Sequence, residues 1–345
     1  MILISKIKPI GQDSYIDISS IESLYLDKFR KYSKPEQLLT NLYSRKRKED
    51  GYVLYNPKQK EIIKYLIKHF KEILLAPPLK LTKIIHEFSV NGWNDEIKNH
   101  SEPKSVKIKR GNFREALLDV FGYDDRFRSN EYRGIWLAKQ LNIKSCPYCN
   151  AQYTILVEDH TKKSIAKFQF DHFFPKNEYP YLSISLYNLI PSCANCNITK
   201  SNKPLDLSNH YHPFYNDFAI RSEFYLKYDP DPSKLTVNEV KKQNLELEFR
   251  AKPKYPDKDN LVEKHDHLYD ITGVYNRHQD VAEDLLISAI LYKSAAKHYA
   301  SIEGLFPPND LFKRYLIGTF PDKESILERP LTKFRQDIAK QLGLI

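Results

Sequence analysis

Cysteine is scarce in this chain: four in 345 residues, all of them between Ser145 and Lys203. In an intracellular chain, cysteines so paired serve metal binding or redox work more often than disulfides. Long apolar runs are missing too. The longest candidate, Ile62 to Leu81, is interrupted by Lys64, Lys68 and Lys71, and falls short of the roughly 18 unbroken residues of a membrane span. The opening Met-Ile-Leu-Ile-Ser-Lys is too short an apolar run for a signal peptide. No G-x-x-x-x-G-K-[ST] occurs, so the chain carries no nucleotide-driven motor of its own. Internal repeats and low-complexity linkers are also lacking. These absences predict a soluble, cytoplasmic protein with no membrane partner.

What is present is positive charge. A net charge of +10 and an isoelectric point near 9.1 suit a polyanionic partner, since clustered lysines and arginines replace the counterions condensed on phosphates. A lysine-rich composition gives the same balance without any such partner, so charge alone does not decide. The length suits about two domains with a sizeable core.

The pattern predicts an α+β chain in three stretches: a mostly helical 1–143, a cysteine-bearing module over 144–215, and a short β-hairpin followed by helices over 216–345. Residues 1–19 read as short extended pieces. Pro57 stands at a helix start, and Ile62, Ile63, Leu66, Ile67, Phe70, Ile73 and Leu74 recur at the spacing of one buried helical face until Pro77-Pro78. Further helices are expected over 79–90, 113–121, 132–141, 309–317 and 323–342, and a long helical segment, continuous or interrupted, over 261–299. Strands are expected over 223–228 and 245–250, joined across Asp229-Pro230-Asp231-Pro232. Two basic concentrations, Arg45 to Lys48 and the group Lys104, Lys107, Lys109, Arg110 and Arg114, are either phosphate contacts or solvated faces.

Cys146-x-x-Cys149 and Cys193-x-x-Cys196 are separated by 43 residues. Each tight turn offers two thiolates to one metal, and two such turns close a tetrahedral structural zinc site. A thioredoxin-like redox pair would leave the second C-x-x-C unexplained. Residues 144–203 are short and polar, with too little apolar surface to fold securely alone, so a bound metal also answers a folding problem. Ser192 is placed to cap a helix carrying Cys193, Cys196, Asn197 and Lys200.

Between the knuckles, Phe168 to His172 alternates as a strand that ends before Pro175. Neighbouring strand residues face opposite sides, so putting Asp171 and His172 into one site requires the strand to end, bend or bulge there. The series Cys146-x-x-Cys149, Asp171-His172, Asn188-Leu189, Cys193-x-x-Cys196-Asn197 and Lys200 resembles the HNH endonucleases with a ββα-metal core and a four-cysteine zinc. Cys-Pro-Tyr-Cys, Asp171-His172-Phe173-Phe174-Pro175-Lys176, Tyr179-Pro180 and Asn188-Leu189-Ile190-Pro191-Ser192-Cys193 resemble more closely the PtuB nuclease subunits of Septu-type anti-phage systems. The likeness covers about residues 144–215 of this sequence.

That resemblance implies His172 as the general base, Asp171 as a ligand of a divalent ion, and Asn188 as the middle residue that holds the loop and the histidine. Asn197, where many of these enzymes carry a histidine, becomes the second ligand. Oxygen donors of this kind favour Mg²⁺ or Mn²⁺. Lys176, Lys200 and Lys203 are either phosphate contacts or plain surface lysines, and the resemblance adds an ABC-type ATPase as a partner in trans, with the flanking helices as docking surface or simply as core. With an ordinary histidine pKa, activity would fall below about pH 6. The expected function is hydrolysis of nucleic-acid phosphodiesters, DNA favoured and RNA possible, in bacterial defence against phage. The alternative is a zinc-stabilised nucleic-acid-binding or adaptor protein whose chemistry has lapsed. His265-x-His267 has the wrong spacing for a helical ligand pair, His212 is expected to pack against the motif helix, and Tyr123-Asp124-Asp125 lacks polymerase spacing.

Overall fold

The computed structural model describes residues 3–12, 14–32, 34–44, 55–99, 113–128, 130–227, 236–240, 245–255, 257, 259–294 and 309–345. Residues 45–48, 104–110, 229–232 and 295–299 lie outside these. The chain is α+β. It opens with a two-residue ladder, β1 (Lys6–Ile7) against β2 (Ile16–Asp17). Helices α1 (Glu22–Tyr32), α2 (Pro35–Tyr43), α3 (Pro57–Leu75), α4 (Pro78–Val90), α5 (Trp93–Asn99), α6 (Phe113–Phe121) and α7 (Gly134–Leu141) follow.

Helix α3 shows why the spacing was informative. Asn56 and Gln59 form a reciprocal capping box, Pro57 fixes the first turn, and Ile62, Ile63, Leu66, Phe70, Ile73 and Leu74 are buried along one stripe. Ile67, at the edge of that stripe, is only half-buried. Pro77 then precedes α4, which ends near Gly92 in the left-handed region that glycine tolerates (φ +62).

The cysteine-bearing module contains two hairpins. The first, β3 (Leu156–Glu158) with β4 (Ser164–Ala166), has no clear signature in the sequence. In the second, β5 (Gln169–His172) pairs antiparallel with β6 (Leu189–Ser192), and β6 leads into α8 (Ala194–Lys200). Helix α9 (Phe218–Arg221) precedes β7 (Ser222–Lys227), α10 (Val237–Val240) lies before β8 (Glu246–Ala251), and β7 and β8 pair antiparallel as expected. The helical segment expected over 261–299, with interruption allowed, consists over its described residues of α11 (Leu261–Tyr269), α12 (Ile271–Tyr275) and α13 (Gln279–Ser294), with Asp270 at φ +52 making the first break. Helix α14 (Asn309–Ile317) has its expected bounds. The helix expected over 323–342 is corrected to a 3-10 turn, Glu324–Glu328, and α15 (Thr332–Gln341), because Leu331 takes φ +61 between them.

One buried apolar cluster runs from Ile4 to Leu344 and includes all four cysteines, so the apolar stripes of the flanking helices are core. None of the described helices is long and apolar enough to cross a membrane.

The candidate functional site

The two knuckles meet. The four Sγ atoms of Cys146, Cys149, Cys193 and Cys196 lie within 4.8 Å of one another, all four residues are buried, and none forms a disulfide. The Cys149 and Cys193 sulfurs are 3.9 Å apart, close to the ~3.8 Å that tetrahedral bonds of about 2.3 Å to zinc would give. Burial pushes the Cys146 thiol pKa up, so the thiolate form that binds metal would need a cation held between the sulfurs. The cluster could therefore hold a metal such as zinc. The cap of α8 differs from the expectation: Cys193 itself is the N-cap, its sulfur accepting from Cys196 N at 3.5 Å, while Ser192 ends β6.

The C-terminal helices grip the first knuckle through its backbone. His265 Nε2 meets Tyr148 O at 2.9 Å, and the Tyr275 hydroxyl donates to Cys149 O at 2.8 Å. Asn150, at φ +53, donates to Ser145 Oγ and to Ile326 O and accepts from Lys333 N. His265 is thus a buried structural residue, whereas His267 pairs with Glu263 at the surface.

The long connection between β5 and β6 is held from the other side by the N-terminal helices. Tyr25 OH donates to Ile184 O at 2.7 Å, Ser185 Oγ to Ile73 O at 2.8 Å, and Tyr181 OH to Asn94 Oδ1 at 3.0 Å. Inside this loop Asn188, wholly buried, accepts from Phe174 N at 2.8 Å and donates to Phe174 O and Leu182 O, each at 3.0 Å. Asn188 therefore clasps the turn that follows His172. Asn188→Ala strands these backbone groups and is expected to cost about 3 kcal/mol, read as a lowered denaturant midpoint in urea melts; a loss under about 0.5 kcal/mol would contradict the clasp.

His172 is 8% exposed. Its Nε2 lies 2.8 Å from Ser183 O. A carbonyl only accepts, so Nε2 carries the proton and Nδ1 the lone pair. The Tyr123 ring meets the imidazole edge-on at 4.4 Å, and the Tyr123 hydroxyl donates to Phe170 O at 2.9 Å. Tyr123 and Asp124 belong to a π-helical turn, Tyr123–Phe127, which sequence reasoning had set aside as a failed polymerase motif. Asp124 pairs with Lys176, whose ammonium also lies over the Tyr123 ring, 4.9 Å from its centroid. Burial lowers the His172 pKa to about 3. The expected acid limb near pH 6 is corrected accordingly: the imidazole stays neutral well below that pH.

Asp171 faces the other way. The register is unbroken, with Gln169, Phe170, Asp171 and His172 opposite Ser192, Pro191, Ile190 and Leu189. No bend or bulge brings Asp171 round to His172. The carboxylate is 3% exposed and engaged on both oxygens: the Tyr148 hydroxyl donates to Oδ2 at 2.6 Å and Lys200 Nζ to Oδ1 at 3.1 Å. Burial raises its pKa, against the pull of Lys200 and Tyr148. Two residues back on the same face, Gln169 accepts from the Asn197 amide, so α8 lies along this side of β5. As arranged here, Asp171 and Asn197 do not fit a divalent ion, because the carboxylate is buried with a donor already on each oxygen and its one cationic neighbour is the Lys200 ammonium.

Lys200, expected as a phosphate contact, is 1% exposed and lies inside the protein. Lys203 is exposed, Lys176 partly so, and Arg114 is half-buried on α6. His212 packs against Phe173 and Phe174, at ring distances of 4.2 and 6.3 Å. No protein-family model, curated protein or solved structure matches the chain. Tyr123, Tyr148 and Ser183 were missed by sequence reasoning. Only Tyr148 left a signal, by lying between the two cysteines of a knuckle.

Proposed function

We propose that this protein is an HNH-type endonuclease hydrolysing nucleic-acid phosphodiester bonds, with DNA the favoured substrate and RNA a possible one, acting in bacterial anti-phage defence beside an ABC-type ATPase as the PtuB resemblance implies. The observation that carries the reading is His172: a neutral imidazole, fixed through Nε2 on a strand whose partner runs straight into the α8 knuckle. Its Nδ1 would take the proton of the attacking water. Lys176 and Lys203 would meet phosphates, and the net charge of +10 would favour the encounter. The resemblance also brings a Mg²⁺ or Mn²⁺ requirement.

A second reading rests on the closed state of Asp171 and the low basicity of His172: a metal-stapled nucleic-acid-binding or adaptor protein without cleavage chemistry. Plasmid DNA and cellular RNA, incubated with the protein with and without Mg²⁺ or Mn²⁺, separate the two. The nuclease reading expects ion-dependent nicking or cutting that His172→Ala abolishes. Binding without cleavage, even beside a co-purified ATPase, would support the adaptor.

A further inference from the structure

Lys200 is among the largest wholly buried side chains of the protein. A lysine buried to this degree needs its charge answered, since an uncompensated ammonium in a low-dielectric interior is unstable. Its partners are explicit. Nζ donates to Asp171 Oδ1 at 3.1 Å and to His172 O at 2.6 Å. The other carboxylate oxygen is taken by Tyr148, whose backbone carbonyl is itself held by His265. Lys200 thus supplies a positive charge and hydrogen bonds to the carboxylate that the family resemblance assigns to a divalent ion. An ammonium and a divalent cation are alternatives at such a carboxylate. Mg²⁺ or Mn²⁺ needs an oxygen at about 2.0–2.2 Å and open positions for water or phosphate around it, and the carboxylate, its side chain 4% exposed and packed against Tyr148 and Lys200, has no solvent-open side to provide them.

We propose that Lys200 is the resident cation of the Asp171 carboxylate and excludes divalent metal from it for as long as its side chain stays buried. The proposal rests on the nuclease reading only for the identity of the ion excluded. The position of Lys200 makes withdrawal feasible: it is the last residue of α8, and the next residue, Ser201, already departs from the helix at φ +50, ψ −133. The helix can keep both cysteine ligands while its final side chain moves.

Direct Mn²⁺ binding, followed by the loss of the free-ion electron paramagnetic resonance signal, tests this on full-length protein purified with its cysteine-bound metal and without nucleic acid. Lys200→Met is expected to bind one Mn²⁺ at least tenfold more tightly than the unmodified protein, and the gain is expected to vanish in the Lys200→Met, Asp171→Asn double variant. Without Mn²⁺, Lys200→Met should melt lower than the double variant; with Mn²⁺ it should recover while the double variant does not. Should Lys200→Met fail to fold, Lys200→Gln keeps a donor for His172 O and reads the same affinity. Two results would overturn the proposal: Mn²⁺ bound through Asp171 as tightly with Lys200 present as without it, or no Asp171-dependent gain in either Lys200 variant. Neither depends on cleavage, so a failed nuclease reading and a failed Lys200 assignment give different outcomes.

Discussion

Cys193→Ser is expected to abolish metal binding by the cysteine cluster and to leave the protein largely unfolded at 25 °C. Structural zinc contributes an apparent ~10–16 kcal/mol in small zinc modules, comparable with the whole stability of about 5–15 kcal/mol of an ordinary domain. The dependence should spread beyond the module, because the first knuckle is where the C-terminal helices attach. Tyr148 O, Cys149 O and the Asn150 side chain bind His265, Tyr275, Ile326 and Lys333. A knuckle that opens releases those partners. Cys193 is also the N-cap of α8 and a member of the continuous core. Elemental analysis should find one zinc per chain in the unmodified protein and far less in the variant, with helical circular dichroism lost in parallel. A variant that keeps its helicity and melts within about 2 °C of the parent would show that the cluster is a set of buried thiols with no structural duty.

The second large effect is acid sensitivity, through three histidines that burial keeps neutral. His172 and His212 are both lowered to about 3, and His265 lies well below its ordinary value, in each case chiefly because burial penalises the charged ring. Above the unfolded-state pKa of about 6.5 neither state is protonated, and these groups add no pH dependence. Below it the unfolded chain takes up protons that the folded chain refuses. Stability should therefore fall with a slope that steepens below pH 6.5 towards a limit of about 1.4 kcal/mol per pH unit for each histidine, or roughly 4 kcal/mol per unit for the three. Urea melts at pH 7.0, 6.0 and 5.5 measure the slope. His212→Asn, which keeps an acceptor for Phe214 N in place of the imidazole Nδ1, should reduce the slope by about a third. Equal slopes in the two proteins would remove His212 from the explanation.

The elements legible in the sequence are those whose local chemistry and tertiary role agree. Helix α3 carries a capping box, a proline at its start and one apolar stripe; α6 and α14 have the bounds their periodicity predicts. Strands β3 and β4, three residues each and of mixed polarity, offer no period long enough to read. The interruptions at Asp270 and Leu331 are left-handed backbone at residues that are not glycine, a choice made by tertiary packing. At the site, convergence of the four cysteines followed from spacing alone, whereas the backbone groups that Asn188 bonds, on Phe174 and Leu182, are visible only in the fold. Hydrogen-bond partners across the fold did not follow. Nothing in Asn197-x-x-Lys200 indicates that the lysine turns inward to Asp171, and nothing in Tyr123-Asp124 places that turn against His172.

The proposed proton-accepting role of His172 is open to a single comparison: first-order cleavage rates of plasmid DNA by the parent and by His172→Ala at pH 7.5, in Mg²⁺ and in Mn²⁺, with melting curves recorded on the same preparations. A general base contributes about 10²–10⁴-fold, so the variant should be slower by at least 100-fold while melting with a single cooperative transition and retaining its zinc. A folded, zinc-loaded His172→Ala that cuts within threefold of the parent rate would contradict the assignment of His172 as the base.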